Sequence, residues 1–279
     1  MSAGIAWPPP CRLSYGWGVG FKRARGGRWR ASVVGMAAVA TVAGALTAGA
    51  VPALGASRTD AHRPTADQGA AGFPLTLNSR GKGVVRLQQS LAWLGYDINR
   101  RERQEARLGA TTQAAIEAVQ VKFFWARERR VRASVASKIA AIAGEIGALP
   151  AACTTVGLSL CIDKTQKVWR YVRDGTVLLT TDVRFGVPGL DTPEGTYTVW
   201  FRWENATSGI AGPDQPRTPM PYALFFNGDI AVHHSPTFAA YGYYPGGGSQ
   251  GCVNVASLAD SQWVFRNTPA GTRVHVYSS

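Results

Sequence analysis

The chain has four cysteines and four histidines in 279 residues, and one cysteine stands where chemistry is possible. Cys252 lies in "GGGSQGCVNV", between Gly251 and Val253. Glycines ahead of a nucleophile let the backbone turn tightly and bring amides near a developing oxyanion. Upstream, "DIAVHH" ends in the pair His233 and His234. A cysteine becomes a nucleophile as the thiolate, and a neighbouring imidazole is the usual means of making one. Successive strand residues point to opposite faces, so only one of the two histidines can face a given site. His62 lies in a polar stretch, and His275 alternates with Val274 and Val276 and reads as structural. Two other uses of these residues are open. Cys252 can pack as a small hydrophobe, or Cys252, His233 and His234 can serve as zinc ligands. Adjacent histidines make poor joint ligands, and the C-x-x-C and H-E-x-x-H spacings are missing, so no metal is expected.

The elements that must carry these side chains are short strands. From residue 155 onward, "KVWRYV" and "DGTVLLTTDV" read as a hairpin turning at Asp174-Gly175. "GTYTVWFRW", "YALFFNGDIAVHH" and "TRVHVYSS" continue the pattern with β-branched and aromatic side chains. "ASLADSQWVFRNT" is the one helix expected there, and "SPTFAAYGYYPGGGSQG" a long capping loop. This predicts a mainly β domain over 151–279. Before it, Val84, Leu87, Leu91 and Leu94 repeat at helical spacing up to Gly95. Ile116, Val119 and Phe123 mark a second helix starting near Thr111 or Thr112. Val135, Ile139, Ile142 and Ile146 mark a third, closed by Pro150. A small all-α domain is therefore expected over 73–150, behind a polar linker at 57–72.

The formal charge of +13 is uneven. Residues 1–56 carry six basic side chains and no acid, while the nine basic and nine acidic side chains of 151–279 cancel. The remaining excess lies in 57–150, notably from Arg100 to Arg132, and suits nucleic acid, a membrane or an anionic wall. The N-terminus selects among these. Basic "FKRARGGRWR" precedes an uncharged run rich in Ala and Gly, with small residues around Val51-Pro52-Ala53. Residues 1–56 read as a signal peptide, or as a retained membrane anchor, which places the rest outside the cytoplasm and away from nucleic acid. Cys11 belongs to that segment. Cys153, Cys161 and Cys252 remain. An odd count in an oxidising compartment implies one pair and one free thiol. Cys153 and Cys161 are close enough in sequence to pair, leaving Cys252.

Two resemblances sharpen these expectations. "VVRLQQSLAWLGY" and "GATTQAAIEAVQ" resemble the peptidoglycan-binding type 1 repeat through Val84, Leu87, Gln88, Leu91, Leu94, Gly95, Tyr96, Gly109, Thr112, Ala115 and Gln120. "DINRRERQEARL" departs from the loop usual in that family. "LDTPEGTYTV", "MPYALFFNGDIAVHHSP" and "SQGCVNV" resemble, in order, the motifs of the L,D-transpeptidase (YkuD-like) catalytic domain. This resemblance implies a β-sandwich-like fold, an enzyme needing no cofactor, and peptidoglycan stem peptides as substrates. Cys252 would be the acyl-accepting nucleophile and His233 the base, oriented by the backbone carbonyl of residue 234. His234 backed by Ser235 is the open alternative. The amides of Gly251 and Cys252 would form the oxyanion hole. Tyr222, Ser249, Gln250 and Asn254 would meet the substrate, Gln250 standing where the family usually has His. The reaction implied is a 3→3 cross-link, with an L,D-carboxypeptidase or a lapsed wall-binding protein as rivals. The helical domain would hold the enzyme on the cell wall.

Overall fold

The computed structural model describes residues 72–209 and 217–279. The expected signal or anchor at 1–56 and all but the last residue of the linker lie outside them. The described residues belong to one compact unit.

Its N-terminal part is helical. Helices α1 (Lys82–Trp93), α2 (Arg100–Gln104), α3 (Ala110–Lys122) and α4 (Ala133–Ala143) surround a core containing Val84, Leu87, Leu91, Ile116, Val119 and Ile139. These are the periodic positions that predict the helices. Gly95 ends the first run at φ 93°, a left-handed conformation that a side chain disfavours. The third helix stops at Gly144, short of the expected Pro150, and Ile146 is exposed. The unusual segment after Asp97 forms α2, which the periodicity did not reveal. Its purpose is local. The buried Glu102 carboxylate accepts from the amides of Thr111 and Thr112 and from the Thr112 hydroxyl, closing the N-terminus of α3. Burial alone would raise the Glu102 pKa, but these hydrogen bonds outweigh it and hold it at about 2.

A one-turn helix α5 (Ala151–Thr154) then leads into β1 (Leu158–Asp163), and the Cys153–Cys161 disulfide joins the two as expected. Strands β2 (Val168–Arg173), β3 (Thr176–Arg184), β4 (Gly195–Thr198), β5 (Phe201–Thr207), β6 (Pro219–Asn227) and β7 (Ile230–His234) follow. After α6 (Pro236–Tyr241) come β8 (Val253–Val255), α7 (Leu258–Asn267) and β9 (Arg273–Tyr277). The β2–β3 turn is the expected one, with Asp174 and Gly175 both at positive φ. All strands form one nine-stranded sheet in the order β4-β9-β1-β2-β3-β8-β7-β6-β5. Leu160 of β1, Trp169 of β2, Phe226 of β6, Val253 of β8, Val264 of α7 and Val274 of β9 share one core. Strands distant in sheet order meet there, so the sheet curls around its own apolar face. The mainly β expectation holds, as a curled sheet. Helix α7 is the one expected, and α6 is an addition within the capping loop.

The helices are fastened to β2 and β3 by buried charge. Lys122, fully buried, places its Nζ 2.6 Å from Asp182 Oδ1, and the Tyr96 hydroxyl donates to Asp182 Oδ2 at 3.4 Å. The Arg170 guanidinium lies 4.1 Å from the Trp93 ring centroid and donates to the Trp93 carbonyl. Removing one partner of a buried pair leaves an uncompensated charge. Asp182→Ala should therefore destabilise the protein by about 3–5 kcal/mol in urea unfolding. A Lys122→Met/Asp182→Leu double variant should recover most of that loss; equal stability of Asp182→Ala and the parent would refute the coupling.

Candidate active site

Strand β7 lies between antiparallel β6 and parallel β8, with Val232 opposite Val253, His233 opposite Asn254 and His234 opposite Val255. The pleat decides which histidine meets the cysteine. Val232, Val253 and Val255 face the main core, whereas Ala231 belongs with Cys252, Ala223 and Phe225 to a separate apolar cluster on the other face. His233 shares that second face and His234 does not. A cavity of about 390 Å³ opens there, and its lining includes Met220, His233, Ser249, Gln250, Cys252 and Asn254. Five residues singled out from sequence are thus brought together, from two strands and one loop.

Cys252 is 6% exposed, and its Sγ lies 3.9 Å from the Asp229 carbonyl oxygen. His233 is equally buried, and its Nδ1 is 2.7 Å from the carbonyl oxygen of His234. A carbonyl only accepts, so Nδ1 carries the proton and Nε2 keeps its lone pair. Burial drives the His233 pKa down to about 4, although the His234 carbonyl favours the charged ring. The ring is therefore neutral at neutral pH, with its basic nitrogen on the side away from the carbonyl. One cavity therefore holds a thiol and a neutral, oriented imidazole, the pair of groups that can move a thiol proton and accept an acyl group.

Of the other expected residues, Ser235 lines the cavity and the rest fall elsewhere. His234 is held on the opposite face, its Nδ1 buried without a hydrogen-bond partner and its pKa lowered by burial. What it supplies to His233 is its backbone. Behind it, the Ser235 hydroxyl caps α6 by accepting from the Phe238 amide. Tyr222 does not line the cavity. It sits at φ 61°, which breaks the alternation of β6, and its hydroxyl accepts from Gln262 on α7 while its ring packs on Phe265. His275 is structural, 2.9 Å from Thr196 Oγ1 and stacked on Tyr277.

The loop before Cys252 is tied by its own hydrogen bonds. The Gly251 amide donates to Ser249 Oγ at 3.2 Å, and the Ser249 hydroxyl donates to the Cys252 carbonyl at 2.6 Å. Ser249 thus shapes the turn instead of presenting a free hydroxyl, and Gly251 can stabilise an oxyanion only by releasing Ser249. Gly251 itself sits at φ 108°. Sequence reasoning missed Thr192, within "LDTPEG": fully buried, it accepts from the Gly186 amide and donates to the Gly251 carbonyl. A Cβ on Gly186 would lie 1.8 Å from the Leu190 carbonyl oxygen, so that strand–loop contact requires glycine. The Thr-Pro pair was visible as a motif; its link to Gly251 was not.

Residues 158–276 match the family model described as the L,D-transpeptidase catalytic domain, YkuD. The three ordered motifs all fall inside that span. No curated protein matches the chain. Among solved structures, the chain is similar to an L,D-transpeptidase from Xylanimonas cellulosilytica, with 26% identity over 73% of this chain and 97% of that one, at a TM-score of 0.44. It is also similar to an L,D-transpeptidase from Stackebrandtia nassauensis, with 23% identity over 72% and 93% of the two chains, at a TM-score of 0.48.

Proposed function

We propose that this chain, in which residues 158–276 form an L,D-transpeptidase catalytic domain of the YkuD family, is an exported enzyme that forms 3→3 cross-links in peptidoglycan. One observation carries the assignment of roles: Cys252 and His233 line the same cavity, and the His233 ring is held by its Nδ1–H to the His234 carbonyl. His233 Nε2 takes the Cys252 proton as the sulfur attacks the carbonyl of the L-centre of diaminopimelate in a tetrapeptide stem. A C–S bond forms, the C–N bond to the terminal D-Ala breaks, and the imidazolium returns its proton to the departing amine. The side-chain amine of a second stem then attacks the thioester. His233 accepts a proton from that amine and returns one to the leaving thiolate, which regenerates the site. Gln250 lines the cavity as a neutral amide that can hydrogen-bond to the stem but does not titrate near neutral pH.

Export is supported by the basic, then apolar N-terminal sequence. Retention at the wall is supported by the type 1 repeat pattern of the helices and by the basic surplus of 57–150. The test is product analysis with a tetrapeptide-stem substrate. Stem dimers are the expected product. Tripeptides alone would convert the assignment to an L,D-carboxypeptidase, and no product together with no carbapenem adduct would overturn catalysis altogether.

A further inference from the structure

A second cavity, of about 300 Å³, adjoins the Cys252 site, and Lys164, Lys167, Arg184 and Asp191 are among its lining residues. Both cavities include Val187, and the loop divides them: Gly248 lines the first and Gly247 the second. Arg184 ends β3 directly opposite Asn254, a lining residue of the first cavity. It is only 5% exposed, and its Nε is buried without a hydrogen-bond partner. Its other nitrogens make two long contacts of 3.4 Å, to the Gly242 carbonyl and to Thr237 Oγ1. Phe238 and Tyr244 flank the guanidinium at 4.9 and 5.4 Å from their ring centroids.

Lys167, only partly buried, lines the same cavity. Its Nζ donates to the Lys122 carbonyl at 3.1 Å and lies 5.4 Å from the Tyr243 ring centroid. Among the described residues, neither Arg184 nor Lys167 forms an ion pair, while Lys164 meets Glu194 at 3.7 Å. Three cations and one carboxylate, Asp191, therefore line the space. A buried guanidinium without a counter-charge is costly, and one with an unused N–H is suited to a planar anion.

We propose that this cavity receives a carboxylate of the peptide whose reacting carbonyl lies at Cys252, with Arg184 and Lys167 as its recognition residues. The identity of the ligand as a peptide carboxylate rests on the function proposed above; the anion site itself rests on the unpaired cations. Arg184 then couples the two cavities, since it also holds Thr237, which lines the first.

Binding of a stem tetrapeptide to the full chain carrying Cys252→Ala tests this without turnover. The peptide with free side-chain carboxylates should bind at least about 10-fold more tightly than the same peptide amidated, the range for hydrogen bonds to charged groups. That preference should fall below about 3-fold when either Arg184→Gln or Lys167→Met is added, Lys167→Met serving should the buried arginine be required for folding. Equal affinities for acid and amide, a preference that survives both substitutions, or binding of inorganic phosphate without binding of the peptide would each overturn the proposal. Carbapenem adduct formation by the unsubstituted chain is read separately, so loss of the enzymatic assignment and loss of the carboxylate site are distinguishable.

Discussion

Cys252→Ala abolishes covalent capture of a carbapenem, seen as an unchanged intact mass, and lowers cross-linking by at least about 10⁴-fold. The magnitude follows from chemistry: without the sulfur there is no thioester, and the remaining cavity only binds and orients. The fold should survive. Cys252 is a small side chain at the margin of the cluster of Ala206, Met220, Ala223, Phe225 and Ala231, and alanine removes one sulfur atom from it. The disulfide Cys153–Cys161 is separate from the site, so unchanged circular dichroism should accompany the lost reaction. Full acylation of the variant would place the nucleophile elsewhere.

The second large effect separates the two histidines. His233→Gln should slow acylation by about 10²–10⁴-fold, the usual worth of a positioned proton-transfer group. His234→Gln should cost less than about 10-fold in acylation, because its backbone carbonyl, not its ring, orients His233. Comparable losses in both variants would contradict the face assignment. The acid limb of acylation should also move. The active form of His233 is the neutral ring, so the rate should persist below the ordinary imidazole value of 6.5 and fall as pH drops through about 4.

Stability carries the same signature. Between those values the unfolded chain binds a proton that the native ring refuses, so native stability is complete above pH 6.5 and declines as pH drops towards 4. The contribution is about 3 kcal/mol. His233→Gln should flatten that part of the pH–stability profile. An acid limb still centred near 6.5, with no flattening, would show that the ring is solvated and titrates freely.

Much of this was legible in the order of residues. Apolar spacing in the helices, the Asp174-Gly175 turn, the α7 segment and the Cys153–Cys161 pair all depend on neighbours within a few residues, or on simple counting. Local backbone preference and side-chain periodicity suffice there. Residue types and spacing singled out one cysteine and two histidines as candidates, and the resemblance of three ordered motifs, not residue type alone, favoured Cys252 as the nucleophile. The helix α2 was missed for the opposite reason: its single turn is stabilised by what Glu102 does for Thr111 and Thr112, a contact that no periodic pattern encodes. Tyr222, expected from the resemblance to meet substrate, takes a left-handed conformation that interrupts the strand and lies outside the cavity lining, which no local pattern announces.

By itself, then, the order of amino acids indicated most element types, the disulfide partners and the candidate residues for chemistry. Tertiary structure decided which histidine shares a face with Cys252, since the register of β7 against β8 sets the face on which each ring lies. It also set the lowered His233 pKa and the cations grouped beside the site, the buried Arg184 among them. The pKa and the cation cluster depend on groups far apart along the chain being drawn out of water together, and desolvation is a property of the folded surroundings, not of any residue type.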